Sequence, residues 1–265
     1  MLLFASLISG SSGNCIVLSH NGTNILIDCG MSAKKAGEAL SKISINPNDI
    51  SAILVTHEHI DHISGVGVMS RKHNIPVYAN EKTWLAMEQK LGNITDANRR
   101  VFENYDTFEI GNIGIKPFKT PHDSADSVGY SMFAGNKKVS LATDIGCVTR
   151  EMLDAVRQSD MVILEANHDV EMLKTGPYSY SLKQRILSDS GHLSNDMSAR
   201  FAYELVKNGT KKIMLGHLSN ENNLPQLAFE TVKSFLQLKD VKINADVQLS
   251  VAKRFDVSCL CGENV

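Results

Sequence analysis

LVTHEHIDHISG, residues 54–65, is the stretch of the chain richest in histidine. His57, His59, Asp61 and His62 fall within six residues, directly after an apolar run that is typical of a β-strand. The spacing of the first two histidines lets both imidazoles reach one ion from a tight loop, and the other two side chains then face a second ion. Clustered nitrogen and oxygen ligands suit zinc, manganese or iron. A solvated, histidine-rich turn is the alternative, but histidines crowded at a strand end gain little from folding without a metal.

Three later segments repeat this pattern, in which an apolar strand runs into a polar residue. IKPFKTPHDS offers His122, KKVSLATDIG offers Asp144, and KKIMLGHLS offers His217. Each one alone has a simpler explanation, as a capping aspartate or a histidine satisfied by backbone hydrogen bonds. Side chains at strand ends are held rigidly enough to converge on one site. Together with the first cluster they give seven candidate metal ligands.

The predicted elements form two similar halves that each begin with strands and then include helices. Strands are expected at 2–8, 15–19, 23–30, 49–55, 75–79, 106–120, 127–135, 137–144, 160–166, 211–216 and 246–252, and helices at 33–42, 64–73, 81–91, 149–157, 195–207 and 224–236. The dipeptide Asn21-Gly22 predicts a hairpin. The pattern favours a mixed α/β (α+β) fold in four αββα layers, with residues 1–265 forming one domain.

Composition excludes some classes of function. The formal charge of -2 argues against a protein that coats nucleic acid non-specifically. No run approaches the roughly 20 apolar residues of a membrane-spanning helix, and the first residues lack the basic region of a signal peptide. Five cysteines without zinc-knuckle spacing are typical of a reducing compartment. We therefore expect a soluble, cytoplasmic protein.

The ligand series resembles the metallo-β-lactamase superfamily over nearly the whole chain. The carrying residues are the HxHxDH motif at 57–62 and the single His, Asp and His at later strand ends, while Asp28 matches an early structural aspartate. Within the superfamily the chain resembles the YycJ/WalJ group of predicted exonucleases. The stretches that carry this second resemblance are SGSSGNC, TPHDSADSVGY, LATDIG, EANHD, GPYSYSLKQRI and GHLSN.

The superfamily resemblance implies a site for two divalent ions, Zn, Mn or Fe. It assigns His57, His59 and His122 to one ion, Asp61, His62 and His217 to the other, and Asp144 to a bridge. Two ions can hold a bridging hydroxide and clamp both the attacking and the leaving oxygens of a phosphodiester. Asp61 would also orient that hydroxide, which makes it a catalytic residue as well as a ligand.

The pentapeptide GHLSN occurs twice, around His192 and around His217. Members resembling ribonuclease Z carry a non-ligand histidine before a helix, and His192 occupies that place. The resemblance implies that it protonates the leaving oxygen, with Glu165 orienting it, because the pKa of histidine suits a general acid near neutral pH. The alternative is a residue without chemistry next to a helix cap formed by Ser194 or Asn195.

Several further residues are candidate substrate contacts. The first loop offers small residues and free backbone N–H groups to an anion, and the segment before His192 interleaves cations with tyrosines. The candidates are Ser11, Ser12, Asn14, His168, Tyr178, Lys183 and Arg185. A tight structural turn and an ordinary solvated loop are the alternatives.

These features favour a metal-dependent phosphodiesterase acting on nucleic acid, and the group resemblance implies a 5′-to-3′ DNA exonuclease. The absence of a long Gly/Pro-rich arm argues against processing of transfer RNA. A hydrolase of small molecules, of the cyclic phosphodiesterase or glyoxalase II type, is the alternative enzyme. A metal-bound scaffold without catalysis is the alternative outside enzymes, and the oligomeric state stays open.

Overall fold

The computed structural model describes residues 2–261, with the side chain of Cys261 left out, and contains two seven-stranded sheets. The strands are β1 (Leu2–Ile8), β2 (Cys15–His20), β3 (Thr23–Ile27), β4 (Ile50–Leu54), β5 (Val77–Ala79), β6 (Arg99–Val101), β7 (Phe108–Ile110), β8 (Ile113–Lys119), β9 (Val128–Ala134), β10 (Lys137–Ala142), β11 (Met161–Glu165), β12 (Lys212–Gly216), β13 (Gln248–Val251) and β14 (Ser258–Cys261).

Helices pack on the outer face of each sheet, and shorter helices lie in the loops between strands. They are α1 (Ala33–Ser41), α2 (Ile60–Ile63), α3 (Val66–His73), α4 (Glu81–Leu91), α5 (Arg150–Val156), α6 (Val170–Thr175), α7 (Tyr180–Ile186), α8 (Asn195–Lys207) and α9 (Pro225–Leu238), with 3-10 turns at Pro47–Asp49 and Asp96–Asn98. Within residues 2–261 no helix is long and apolar enough to cross a membrane.

Each sheet combines an antiparallel part with a parallel part. The first sheet has the order β14-β1-β2-β3-β4-β5-β6 and becomes parallel from β3 onward. The second has the order β13-β12-β11-β10-β9-β8-β7, with β10 to β13 parallel. The predicted hairpin joins β2 and β3, where Asn21 and Gly22 both have positive φ, 44° and 85°, as a two-residue type I′ turn requires.

Alternation of side chains along the strands produces three apolar layers. In β11, Met161 and Ile163 pack between the two sheets, whereas Val162 and Leu164 pack against the helices outside the second sheet. The central layer also contains residues of the first sheet, such as Ile25. A third cluster joins the first sheet to α1, α3 and α4. The predicted four-layer αββα fold is therefore confirmed.

Two short helices between β11 and α8 were not predicted from the sequence. α6 buries only Leu173 and α7 buries no residue, so neither shows the apolar stripe by which a helix is recognised in a sequence. Both helices lie in the segment that precedes His192, and α7 lines the same cavity as His192.

Candidate active site

The candidate ligands lie at the carboxyl ends of strands that point in one direction. β8, β10, β11 and β12 run the same way in the second sheet, because β9 is antiparallel to both β8 and β10. His122, Asp144 and His217 follow three of these strands, and Glu165 ends the fourth. The HxHxDH loop follows β4 of the first sheet. The site therefore forms where equivalent edges of both sheets meet.

The structure brings all seven predicted ligands together. The nitrogens of His57, His59 and His122 form one group in which every ligand atom lies within 4.8 Å of the others. A second group of the same compactness contains the side chains of Asp61, His62 and His217. Asp144 joins His57 and His62 in a further group, as a ligand between two ions would.

For three of the candidate imidazoles, hydrogen bonds determine which ring nitrogen faces the site. Nδ1 of His62 lies 2.8 Å from Asp28 Oδ2, and Nδ1 of His122 donates to the carbonyl of Gly191 at 3.1 Å. Nδ1 of His217 donates to Glu165 Oε1 at 2.9 Å. In each case Nε2 is left facing the cluster. Such partners orient the ring and raise its basicity as a metal ligand.

Several buried atoms of the cluster have no hydrogen-bond partner among the described residues 2–261. These atoms are Nε2 of His57, Nε2 of His217 and Oδ2 of Asp144. Buried polar groups are otherwise almost always paired, because an unpaired one costs the free energy of its lost hydration. Imidazole nitrogens and carboxylate oxygens are also the donors that divalent transition metals prefer. The residues present therefore fit divalent metal ions.

Opposite charges perturb the titration of these groups. Burial lowers the pKa of His62, but the carboxylates of Asp144, Asp28 and Asp61 outweigh it and raise that pKa to about 9. Burial raises the pKa of Asp61, but the nearby imidazoles of His217 and His62 hold that pKa well below its usual range. Without metal, the carboxylate of Asp61 therefore stays ionised, and a protonated His62 imidazole balances negative charge in the cluster.

The backbone is unusual at two of the ligands. Asp144 and His217 have φ values of 59° and 56°, and Asp28 has 59°. Residues other than glycine rarely adopt this left-handed region, and where they do the surrounding structure must hold them there. Here the conformation turns the chain sharply after β10 and β12, so that each strand end presents its side chain to the cluster.

Close backbone packing holds the HxHxDH loop in place. A Cβ atom at Gly30 would lie 1.6 Å from the carbonyl oxygen of Asp61, so only glycine fits there. The backbone N–H groups of Asn14 and Cys29 donate to Asp61 and His62 at 2.8 Å each. The loop at the end of β3 and the loop after β1 therefore support the candidate ligands Asp61 and His62 from behind.

Asn14 and His168, two of the predicted substrate contacts, are buried. Asn14 is 2% exposed, bonds to the backbone of Gly10, and places Nδ2 3.1 Å from Nε2 of His62. His168 is 1% exposed, and neither ring nitrogen has a hydrogen-bond partner within residues 2–261. Burial lowers the pKa of His168 to about 4. Substrate could not reach either side chain directly, since both lie beneath the surface of the site.

A cavity of about 280 Å³, here called the mouth, opens above the cluster. Of the other predicted contacts, Ser11, Tyr178 and Arg185 line it. Ser12 instead lines a neighbouring cavity, and Lys183 donates to the carbonyl of Lys174 at 2.8 Å. Three of the seven substrate contacts predicted from the sequence therefore line the mouth.

His192 lines the mouth, and Glu165 lies beneath it. Nδ1 of His192 donates to Glu165 Oε1 at 2.7 Å, which leaves Nε2 on the open side of the ring. Oε2 of Glu165 accepts hydrogen bonds from the backbone of Ile145 and Leu193. Burial raises the pKa of Glu165, but the imidazoles of His192 and His217 hold it below its usual range. This geometry suits a histidine held by an ionised carboxylate.

Sequence reasoning missed three polar residues that line the mouth. Asp123 directly follows the candidate ligand His122, and this adjacency is the one sequence signal that could have identified it. Asn167 donates to the carbonyl of His217 at 3.0 Å and accepts from the N–H of Ser219 at 2.8 Å. Asn167 and Ser219, the other two missed residues, shape the turn after β12, and no spacing in the sequence indicates them.

Comparison with known proteins agrees with this geometry. Residues 8–217 match the family model described as the metallo-beta-lactamase superfamily. The chain is 44% identical over 248 residues to exodeoxyribonuclease WalJ of Streptococcus pneumoniae, covering 93% of this chain and 92% of that protein. It is 42% identical to exodeoxyribonuclease YycJ of Bacillus anthracis, covering 90% of each. The crystal structure of the metallo-beta-lactamase fold protein YhfI from Bacillus subtilis has the same fold, with a TM-score of 0.71 at 17% identity, covering 98% of this chain and 100% of that one. The fold, the convergent ligands and these matches together establish that the chain belongs to the metallo-beta-lactamase superfamily.

Proposed function

We propose that this protein is a metal-dependent exodeoxyribonuclease that removes nucleotides from the 5′ end of DNA. The similarity to two exodeoxyribonucleases along at least 90% of the chain is the observation that carries the proposal. The clustered histidines and aspartates at the mouth supply the site at which such chemistry would take place.

The ligand groups support a pair of divalent ions, Zn, Mn or Fe. His57, His59 and His122 would hold one ion, and Asp61, His62 and His217 would hold the other, with Asp144 between them. When bound, two such ions acidify water and neutralise charge on a phosphodiester. Asp61, whose side chain is partly open to the mouth, accepts a hydrogen bond from the attacking water and orients it.

His192 acts as the general acid in this proposal. Glu165 accepts a hydrogen bond from Nδ1–H of His192, which fixes the ring, so Nε2–H is the donor that faces the mouth. An alkoxide leaving group needs a proton as the P–O bond breaks. His192 delivers that proton from Nε2, and Glu165 stays ionised throughout.

The mouth contacts the DNA strand through residues from two loops and a helix. Ser11 offers a hydroxyl, Tyr178 offers an aromatic face to a base, and Arg185 offers a cation to a phosphate. Asn14 and His168 act indirectly in this proposal, by supporting the ligands and the floor of the site.

We further propose that residues 1–265 fold as one domain in the cytoplasm. Strands from both halves of the chain share the central apolar layer, which supports a single folding unit. Cys15, Cys29, Cys147 and Cys259 are free thiols, which supports a reducing compartment.

The test uses duplex DNA labelled at the 5′ end or at the 3′ end and incubated with the protein in Mn, Zn or Mg. Progressive release of mononucleotides from 5′ ends is the expected result. Hydrolysis of small phosphodiesters or thioesters alone would favour the small-molecule hydrolase. Absence of any cleavage by metal-loaded protein would favour a scaffold.

A further inference from the structure

Asp123 connects the candidate metal centre to the wall of the mouth. Its Oδ1 lies 3.5 Å from Nε2 of His122, and its Oδ2 accepts a hydrogen bond from Nε of Arg185. Its backbone N–H donates to the carbonyl of Ser190 at 3.0 Å. A single residue therefore ties the loop after β8 to the segment that contains α7.

Arg185 is the one lysine or arginine among the described residues that line the mouth, where three carboxylates also lie. Only its Nε is used by Asp123, and Nη1 and Nη2 make no hydrogen bond within residues 2–261. A guanidinium presents these two groups as a planar fork that matches two oxygens of a phosphate. The contact with Asp123 thus leaves the phosphate-binding end of the side chain free.

The helix that carries Arg185 cannot fix this side chain by packing. No residue of α7 is buried. The backbone at the end of the helix instead packs closely against Gly191. A Cβ atom at Gly191 would lie only 2.4 Å from the carbonyl oxygen of Arg185. A long side chain on such a helix would lose rotamer freedom when it binds an anion. A carboxylate that holds Nε removes part of that cost in advance.

The position of Arg185 indicates which phosphate it meets. Its side chain is 56% exposed at the rim, whereas that of His192, the candidate acid, is 20% exposed and lies deeper. A phosphodiester that reacts at the cluster would lie below the guanidinium. A phosphate bound at the rim would then belong to a neighbouring nucleotide of the same strand.

We propose that Asp123 is a positioning residue that holds Arg185 ready to bind the phosphate next to the scissile one in a nucleic-acid strand. This proposal rests on the proposed nuclease function. It assigns Asp123 to substrate binding rather than to the metal, although the carboxylate lies beside His122.

Binding of a non-cleavable duplex tests the proposal without turnover. The probe is a fluorescent duplex with phosphorothioates at its terminal linkages, which keep their charge and resist cleavage, and the readout is Kd by anisotropy. Arg185→Gln should raise Kd about tenfold and Asp123→Asn about fivefold. The double variant should bind no more weakly than Arg185→Gln, because the carboxylate acts only through the guanidinium.

Arg157→Gln is the matched control, since Arg157 pairs with Asp154 on α5 and does not line the mouth. The Kd of this variant should stay within twofold of that of the parent protein.

On cleavable DNA, Asp123→Asn should raise KM more than it lowers kcat, with unchanged metal content. Loss of metal in Asp123→Asn, or a double variant whose defect equals the product of the single defects, would overturn the proposal. A parent protein that does not bind the duplex would also overturn it, whereas binding without cleavage in Mn or Zn would reject only the proposed nuclease function.

Discussion

Oε1 of Glu165 lies 2.9 Å from Nδ1 of His217 and also 2.7 Å from Nδ1 of His192. A single buried oxygen thus orients a candidate metal ligand and the candidate general acid. The two copies of GHLSN therefore meet at one carboxylate, although they begin different structures. In the proposed mechanism, metal binding and proton transfer share this support, so a change in Glu165 should affect both.

Glu165→Gln is expected to weaken metal binding and to lower turnover together. The carboxylate faces two imidazole N–H groups through Oε1 and two backbone N–H groups through Oε2. In either orientation an amide turns its NH₂ toward one pair of donors. Loss of such a ligand partner typically costs ten- to hundredfold in metal affinity. Competition with a chelating dye measures the metal affinity. A variant with the same metal affinity as the parent protein would show that the contact between Glu165 and His217 does not support metal binding.

His217→Ala and His192→Ala should separate the ligand from the acid. The first variant should bind one metal ion fewer, because an Nε2 of the second ligand group is lost. The second should keep both ions and lose about a hundred- to ten-thousandfold in kcat on DNA, the usual contribution of a positioned acid. Elemental analysis of the purified variants gives the metal content.

The leaving group provides a sharper check on His192. A nitrophenolate leaves without needing a proton, so His192→Ala should be impaired much less on a nitrophenyl phosphodiester than on DNA. Equal losses on both substrates would contradict the assignment of His192 as the acid, as would loss of metal from this variant.

Metal binding should release protons at pH 7. Carboxylates raise the pKa of His62 to about 9 and that of His217 well above its usual value, so the metal-free imidazoles are protonated below these values. Coordination requires the Nε2 lone pair and displaces the proton. Affinity should therefore rise with pH up to about 9, roughly tenfold per unit for each proton released. Calorimetry in buffers of different ionisation enthalpy counts the protons, and an affinity independent of pH between 6 and 9 would contradict the prediction.

Chelated protein should unfold in one transition if residues 1–265 are a single domain. Trp84, the one tryptophan of the chain, is buried against the outer face of the first sheet and reports on the first half. Far-ultraviolet circular dichroism reports on both halves. Coincident denaturant midpoints are expected, because both sheets form the central layer. Two separated midpoints would show that the halves fold independently.

The pattern of the sequence was sufficient to predict the layers and the seven candidate ligands that the structure brings together. A continuous apolar run such as Met161 to Leu164 is typical of a strand buried on both faces, and an apolar strand that runs into His217 marks a side chain at a sheet edge. These signals are local, because strand periodicity and ligand spacing depend on near neighbours along the chain. Helix α7 escaped prediction because it buries no side chain.

The contacts behind the ligands could not be predicted in this way. Asp28 meets His62 across 34 positions, and Glu165 meets His217 across 52. Burial of Asn14 and His168 likewise depends on which loops cover them, and composition gives no sign of it. Asp123 stands next to a ligand in the sequence, but its hydrogen bond to Arg185 exists only because α7 folds back over the mouth.

The sequence by itself determined which side chains could bind metal, since residue type and position at a strand end are both local properties. The tertiary structure decided what each of these side chains does. It turned Nε2 of His217 toward the cluster, left Nε2 of His192 open to the mouth, and placed one carboxylate oxygen against both rings. The physical reason is that a hydrogen bond depends on atoms within about 3 Å, and residues far apart in sequence reach that distance only when the two sheets pack and their strand ends meet.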